Sequence, residues 1–394
     1  MDTLQKSVLT LLRSGLTDTP CTIDGLADWE QIYQIADYHE VVSLIHRAVR
    51  ISRTDVPKDI MTRIQAGFIN EVRINRFQTA ELRNIFGAFE KNGIDYIPLK
   101  GVVMKSLYPR PEYRQMSDAD IIIKKAQYDT ITDIMNRAGY TYEYMSDYEL
   151  TWKKSFFTVE FHSDVISYIV KDSLDYFGNA FQNAVPADSP HRYRMNDLDE
   201  IVYSVSHLAK HFINGGTRLR SIMDFHYLFQ RTNVDEEELL KTLKKINLCH
   251  FYDIVKRTVA SWFEDLPMDP DCELLISNAF SESRDFFLSR GSNYLVAQAN
   301  RGKTDSSGTA KTGTFFKMIF LPYRYMKIRF PILNKLPFLL PFLWVWRCIS
   351  ALLFHRDIMK KMFRINAGNS SVKDGYMNEL KTMGLENAVF PEDL

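Results

Sequence analysis

The chain has 394 residues, 45% of them hydrophobic and 25% charged, and its 49 basic and 49 acidic side chains cancel to a formal net charge of +0. These values exclude wholesale disorder, a collagen-like repeat and a coiled-coil rod. A balanced charge also argues against a duplex nucleic acid partner, whose phosphates call for a net basic face. At roughly 100–200 residues per domain, the length allows two or three domains. Cys21, Cys249, Cys272 and Cys348 are far apart and form no C-x-x-C pair. A zinc ribbon, a disulfide scaffold and thioredoxin-type redox chemistry are therefore not expected, and the expected setting is the reducing cytoplasm. The first residues lack the charged, apolar and small-residue sequence of a signal peptide.

Residues 1–90 read as a helical region. Leu4, Val8, Leu11 and Leu12 recur at helical spacing, as do Ile32, Ile35 and Ala36. Ile60 to Glu90 continues the pattern, with Ile69, Val72, Ile74, Phe77, Leu82, Ile85 and Phe89 marking an expected apolar side. Lys91-Asn92-Gly93 supplies the C-terminal stop.

The texture changes over residues 91–190. Asp95 to Leu99 predicts a short strand, Lys100-Gly101 a turn, and Val102 to Leu107 a short helix. Pro109 and Pro111 mark a loop. Ala119 to Ile123 predicts a strand, Gln127 to Arg137 an amphipathic helix closed by Gly139, and Thr141 to Tyr144 and Phe156 to His162 two more strands. Such alternation predicts a small α/β unit.

Residues 191–394 turn helical again, with periodic runs at 198–212, 222–229, 236–246 and 250–263. Residues 300–313 are rich in Gly, Ser and Thr and read as a loop. The segment 315–364 carries ten Lys or Arg against the single acid Asp357, around an apolar run from Leu336 to Trp346. That run is shorter than the roughly 20 residues needed to span a bilayer. It reads either as packing on the helical core under Lys and Arg stems, or as a surface for anionic lipid at the inner membrane face.

Chemistry concentrates between Leu99 and His162. Asp118 and Asp120 are two apart on a predicted strand, so both carboxylates share one face while Ala119 and Ile121 point to a core. Two like charges side by side call for a cation, and a hard divalent ion such as Mg²⁺ suits oxygen ligands. Upstream, Gly101 at a strand-to-helix turn would let phosphate approach the backbone, with Lys100 adding a charge. Downstream, Glu160 and His162 face the same side of another predicted strand. His207 and His211 are four apart on one helix face. They read as part of a wall over the site, as a metal set with Asp224, or as structural. Arg218, Arg220 and Asp224 read as a salt-bridged helix junction.

Taken together, Gly93-Ile94-Asp95, Leu99-Lys100-Gly101, Leu107-Tyr108-Pro109, Arg114, Asp118-x-Asp120, Ala138-Gly139-Tyr140 and Val159-Glu160-Phe161-His162 resemble the bacterial nucleotidyltransferase-like family of the polymerase-beta-like superfamily. His207 to His211 and Arg218, Arg220 and Asp224 resemble its helical half. The resemblance implies an α+β fold, a small mixed-sheet core flanked by N- and C-terminal helical regions. It implies metal-dependent transfer of a nucleotidyl group from an NTP to an acceptor. Asp118, Asp120 and Glu160 would bind two Mg²⁺ ions, with Mn²⁺ as a substitute, and Glu160 would help deprotonate the acceptor. Lys100, Gly101, Arg114, His162 and His211 would face the nucleotide. Much of the superfamily has Gly-Gly or Gly-Ser where this chain has Lys100-Gly101. A nucleotide-binding module without catalysis and a peripheral membrane protein are the other readings.

Overall fold

In the computed structural model, residues 1–23, 27–145, 149–163, 165, 176–214, 217–280, 323, 326, 330–334, 336–346 and 370–386 are described. The fold is α+β. Four helices come first: α1 (Thr3–Thr17), α2 (Trp29–Tyr38), α3 (Val42–Ser52) and the 35-residue α4 (Lys58–Asn92). Asp2 caps α1 by accepting from the Gln5 amide at 2.8 Å, and Asp28 caps α2 through Gln31. Gly93 stops α4 in the left-handed region at φ 65°, which glycine adopts without a Cβ penalty.

A five-stranded mixed sheet follows: β1 (Tyr96–Pro98), β2 (Asp118–Ile123), β3 (Thr141–Met145), β4 (Glu149–Lys154) and β5 (Phe157–His162), in the order β1-β2-β5-β4-β3. Only the β2–β5 pairing is parallel; the other three are antiparallel. A parallel neighbour needs a crossover, and α6 (Tyr128–Arg137), β3 and β4 lie between β2 and β5 in the chain. The one-turn α5 (Gly101–Met104) leaves β1. A two-stranded ribbon of β6 (Val185–Pro186) and β7 (Tyr193–Arg194) precedes helices α7 (Asp197–Asn214), α8 (Leu219–Arg231), α9 (Glu236–Lys245), α10 (Cys249–Phe263) and α11 (Pro270–Phe280), with α12 (Ser370–Thr382) near the end.

The period of two along β2 and β5 puts one face of side chains into a core and leaves the other face to Asp118, Asp120, Glu160 and His162, with Ile122. Ala119, Ile121, Ile123, Phe157, Val159 and Phe161 pack with Leu82, Ile85 and Phe89 of α4 and Ile131, Ile134 and Met135 of α6. Ile122, on the opposite face, belongs to a second core shared by α1–α3 and α7–α11. The N- and C-terminal helices thus share one apolar interior, tied by Trp262 Nε1 donating to the Leu9 carbonyl at 2.9 Å.

Helix α4 bridges both cores: Leu82, Ile85 and Phe89 are buried on the face expected from its sequence, but the middle of the helix departs from that pattern. Ile69 is 59% exposed, whereas Glu71, Asn75, Gln78 and Glu81 are buried. Each of these polar groups meets a distant partner. Glu71 accepts from the Ser43 amide, Asn75 and Gln78 accept from Lys105 Nζ, and Glu81 accepts from Lys154 Nζ. Paired polar groups can be buried without the penalty of unmet hydrogen bonds. Residues 300–313 lie outside the described residues, as does most of 315–364. In its described part, Phe338, Phe342, Val345 and Trp346 are each more than half exposed, while Leu333 is buried. Among the described residues no helix is long and apolar enough to cross a membrane.

Candidate active site

The parallel register sets Asp120 directly beside Glu160, and Ile122 beside His162. Antiparallel pairing of β1 with β2, together with the Leu99 amide donating to the Asp120 carbonyl at 3.0 Å, delivers the Lys100 turn to the same place. Lys100 Nζ donates to Asp120 Oδ1 at 2.7 Å, and His162 Nε2 lies 3.0 Å from that oxygen. Asp120, Glu160 and His162 form a compact cluster, with one ligand atom from each within 4.8 Å of the others. Asp118 shares the face and lines the cleft but is not a member of this cluster.

The electrostatics follow from burial and neighbours. Burial works to raise Asp120, but Lys100 and His162 outweigh it and hold the carboxyl well below the usual range. With Asp120 ionised, His162 Nε2 must be the donor, which turns Nδ1 towards Glu149, 4.0 Å away. Burial lifts Glu160 to about 7, helped by the charges of Asp120 and Asp118. Asp118 is raised by burial and then by Asp120. One carboxylate is thus held ionised, and another is poised near neutrality.

Opposite the sheet stands a helical wall, and the two enclose a cleft of about 390 Å³, within the range of small-molecule sites. Tyr203, His207, Lys210 and His211 of α7 line it, with Arg218, Arg220 and Asp224 at and on α8. Tyr203 stacks on His207, whose Nε2 lies 2.9 Å from His211 Nε2. Burial and the charge of Lys100 keep both imidazoles neutral, with His211 pushed down to about 4. Burial and Lys100 also lower Lys210. Arg218 lies over the Tyr38 ring at 4.1 Å, and its buried Nη1 has no hydrogen-bond partner among the described residues.

Several expectations change here. Arg114 is buried and its fork is already filled: Nε and Nη2 donate to the two Asp224 oxygens at 2.7 Å each, and Nη1 donates to the Gln115 carbonyl. Tyr108 donates to Asp224 at 2.8 Å. Arg114, not Arg220, is therefore the partner of Asp224, and Arg220 instead pairs with Glu40 and donates to Ser117. Asp224 so engaged does not join His207 and His211 in a metal set. The turn after β1 offers fewer amides than expected. Those of Val102, Val103 and Met104 donate to the Leu99 and Lys100 carbonyls, because a one-turn helix closes on its own first residues. Gly101 answers to packing: a Cβ there would lie 2.7 Å from Met116 Cγ. The left-handed residue is Lys100, at φ 46° and ψ −123°, where glycine would be less strained. Tyr203, Glu149 and strand β4 are not singled out by the sequence, and Tyr108 enters there only as part of the Leu107-Tyr108-Pro109 motif. Alternation of Leu150 and Trp152 with polar residues was the available signal for β4.

A family model described as uncharacterised nucleotidyltransferase matches residues 26–264, more than half of the chain. The chain belongs to that family. Neither a curated protein nor a solved structure matches it.

Proposed function

We propose that the cleft performs metal-dependent nucleotidyl transfer from an NTP to an acceptor hydroxyl or phosphate. The observation that carries this reading is that Asp120 and Glu160, clustered with His162, share one cleft with Lys210 and Arg218 in a member of a nucleotidyltransferase family. The donor set suits a divalent ion: an ionised carboxylate, a second carboxylate and an imidazole, with Asp118 on the same face as the ligand for a second ion. Mg²⁺ is the natural occupant and Mn²⁺ its substitute. When bound, such ions stabilise charge on the attacking and leaving oxygens.

The chain's own groups supply the rest. Lys210, Arg218 and Lys100 hold the phosphates, and the neutral His211 closes the wall beside them. The acceptor oxygen attacks the α-phosphorus, the α–β phosphoanhydride bond breaks, and pyrophosphate leaves. Glu160, raised to about 7, takes the acceptor's proton. Incubation with each α-labelled NTP and Mg²⁺, comparing wild type with Asp120→Asn, tests the reading through label transfer and pyrophosphate release. Both are expected in wild type and absent in the variant. Binding without pyrophosphate release would leave a nucleotide-binding module instead.

We infer in addition that the basic segment 315–364 meets anionic lipid. Phe338, Phe342, Val345 and Trp346 are exposed at helical spacing within a stretch of ten Lys or Arg and one acid. Flotation with phosphatidylserine vesicles is expected for wild type and lost in a Phe338→Asp/Phe342→Asp variant. Flotation equal in both would overturn this part.

A further inference from the structure

Lys100 touches the oxygen that a metal would need. Its Nζ lies 2.7 Å from Asp120 Oδ1, the atom that His162 Nε2 also approaches at 3.0 Å. An ion that takes this oxygen as a ligand competes with the ammonium already bound to it. The Asp120 side chain is only 2% exposed, so water offers this carboxylate little alternative compensation. A buried charge without a partner is expensive, and an ammonium at hydrogen-bond distance supplies one. The backbone adds a second observation. Lys100 sits at φ 46°, ψ −123°, a conformation that favours glycine. The chain keeps a lysine there and bears the strain.

We propose that Lys100 occupies the metal position in the nucleotide-free protein and passes to the phosphates when a metal–nucleotide complex enters. The inference rests on the nucleotidyl-transfer reading for its second half only; the first half concerns metal alone. Lys100 can make the exchange because its side chain is 27% exposed and lines the cleft beside Lys210 and Tyr203. Metal arriving with its nucleotide gains the Asp120 oxygen at the moment Lys100 gains a phosphate, so no carboxylate is left bare. Metal alone must displace the ammonium from Asp120 with no phosphate there to receive it. The exchange therefore adds positive coupling, through Lys100, to that which metal–phosphate bonds give any metal–nucleotide pair.

Mn²⁺ binding, measured by electron paramagnetic resonance without nucleotide and then with a non-hydrolysable NTP analogue, tests this. Mn²⁺ alone is expected to bind Lys100→Met at least about tenfold more tightly than wild type, and Lys100→Arg, which keeps the charge, like wild type. Lys210→Met removes a cation from the same cleft without that contact, and its shift is expected below about threefold. Lys100→Gly, suited to the backbone, gives the same readout should the Met variant fold poorly. The analogue should tighten Mn²⁺ binding in both proteins, by a larger factor in wild type than in Lys100→Met. Unchanged or weaker Mn²⁺ binding in folded Lys100→Met and Lys100→Gly overturns the proposal, whether or not nucleotide binds. Tightening as large in Lys210→Met also overturns it, because net charge alone would then explain the effect. Equal coupling to the analogue in both proteins overturns the transfer to phosphate.

Discussion

Replacing Arg114 separates a bracket from a phosphate ligand. Its side chain is 8% exposed and that of Asp224 is 14%, and two 2.7 Å bonds join them between the segment before β2 and helix α8. Burial opposes the charge on Arg114, but Asp224 outweighs it and raises the guanidinium above its ordinary range. Arg114→Met strands the Asp224 carboxylate with Tyr108 as its remaining donor and is expected to cost about 3–5 kcal/mol, as for other broken buried pairs. Arg114→Lys keeps the charge but loses the fork, and with it one charge-assisted bond of about 1.5–3 kcal/mol. Arg114→Met/Asp224→Leu leaves neither charge unpaired, so its loss should fall short of the sum of the two single variants by about 0.5–3 kcal/mol. Urea unfolding followed by tryptophan fluorescence reads wild type, Arg114→Met, Arg114→Lys, Asp224→Leu and the double variant. A phosphate-ligand role predicts the opposite pattern: an unchanged unfolding midpoint for Arg114→Met, with a loss of nucleotide affinity of about tenfold or more. That result would refute the bracket.

Two further predictions concern packing and pH. Burial raises Glu71 from 4.5 to about 7, so the folded protein keeps a proton that the unfolded chain releases. The contribution of Glu71 to stability should then fall as pH rises from about 4.5 to about 7, by roughly 3 kcal/mol at 1.36 kcal/mol per unit. Glu71→Gln retains an acceptor for the Ser43 amide and should remove that part of the slope, so its curve diverges from wild type between those pH values; parallel stability–pH curves would refute it. Gly101→Ala places a Cβ against Met116 and should destabilise by about 1–3 kcal/mol. Met116→Ala should relieve part of this, and additive losses in thermal unfolding would show that the contact is not the cause.

The strand carrying Asp118 and Asp120 was legible because period two alone puts both on one face and Ile121 in a core. Glu160 and His162 were legible for the same reason on β5. Their meeting depends on the parallel register of β2 with β5, which no local pattern encodes, although the resemblance to a known family anticipated it. Arg114 illustrates the limit: a guanidinium near a cluster of acids reads as a phosphate ligand, and its commitment to Asp224 needs the packing of α8 against the sheet region. Helix α4 illustrates another. Its buried Glu71, Asn75 and Gln78 look like a solvated face, and only partners from α3, the turn after α5 and the segment before β2 make their burial tolerable. Gly101 reads in the sequence as a place for phosphate to approach, whereas the packing constraint on it comes from Met116, fifteen residues away in the chain.

Anomalous diffraction from crystals grown with Mn²⁺ and a non-hydrolysable NTP analogue addresses the central claim most directly. The account predicts an ion at about 2.1 Å from carboxylate oxygens of Asp120 and Glu160 and from His162 Nε2, with Lys100 moved from Asp120 onto a phosphate oxygen. An ion held by other residues, or a nucleotide bound away from this cleft, would contradict it.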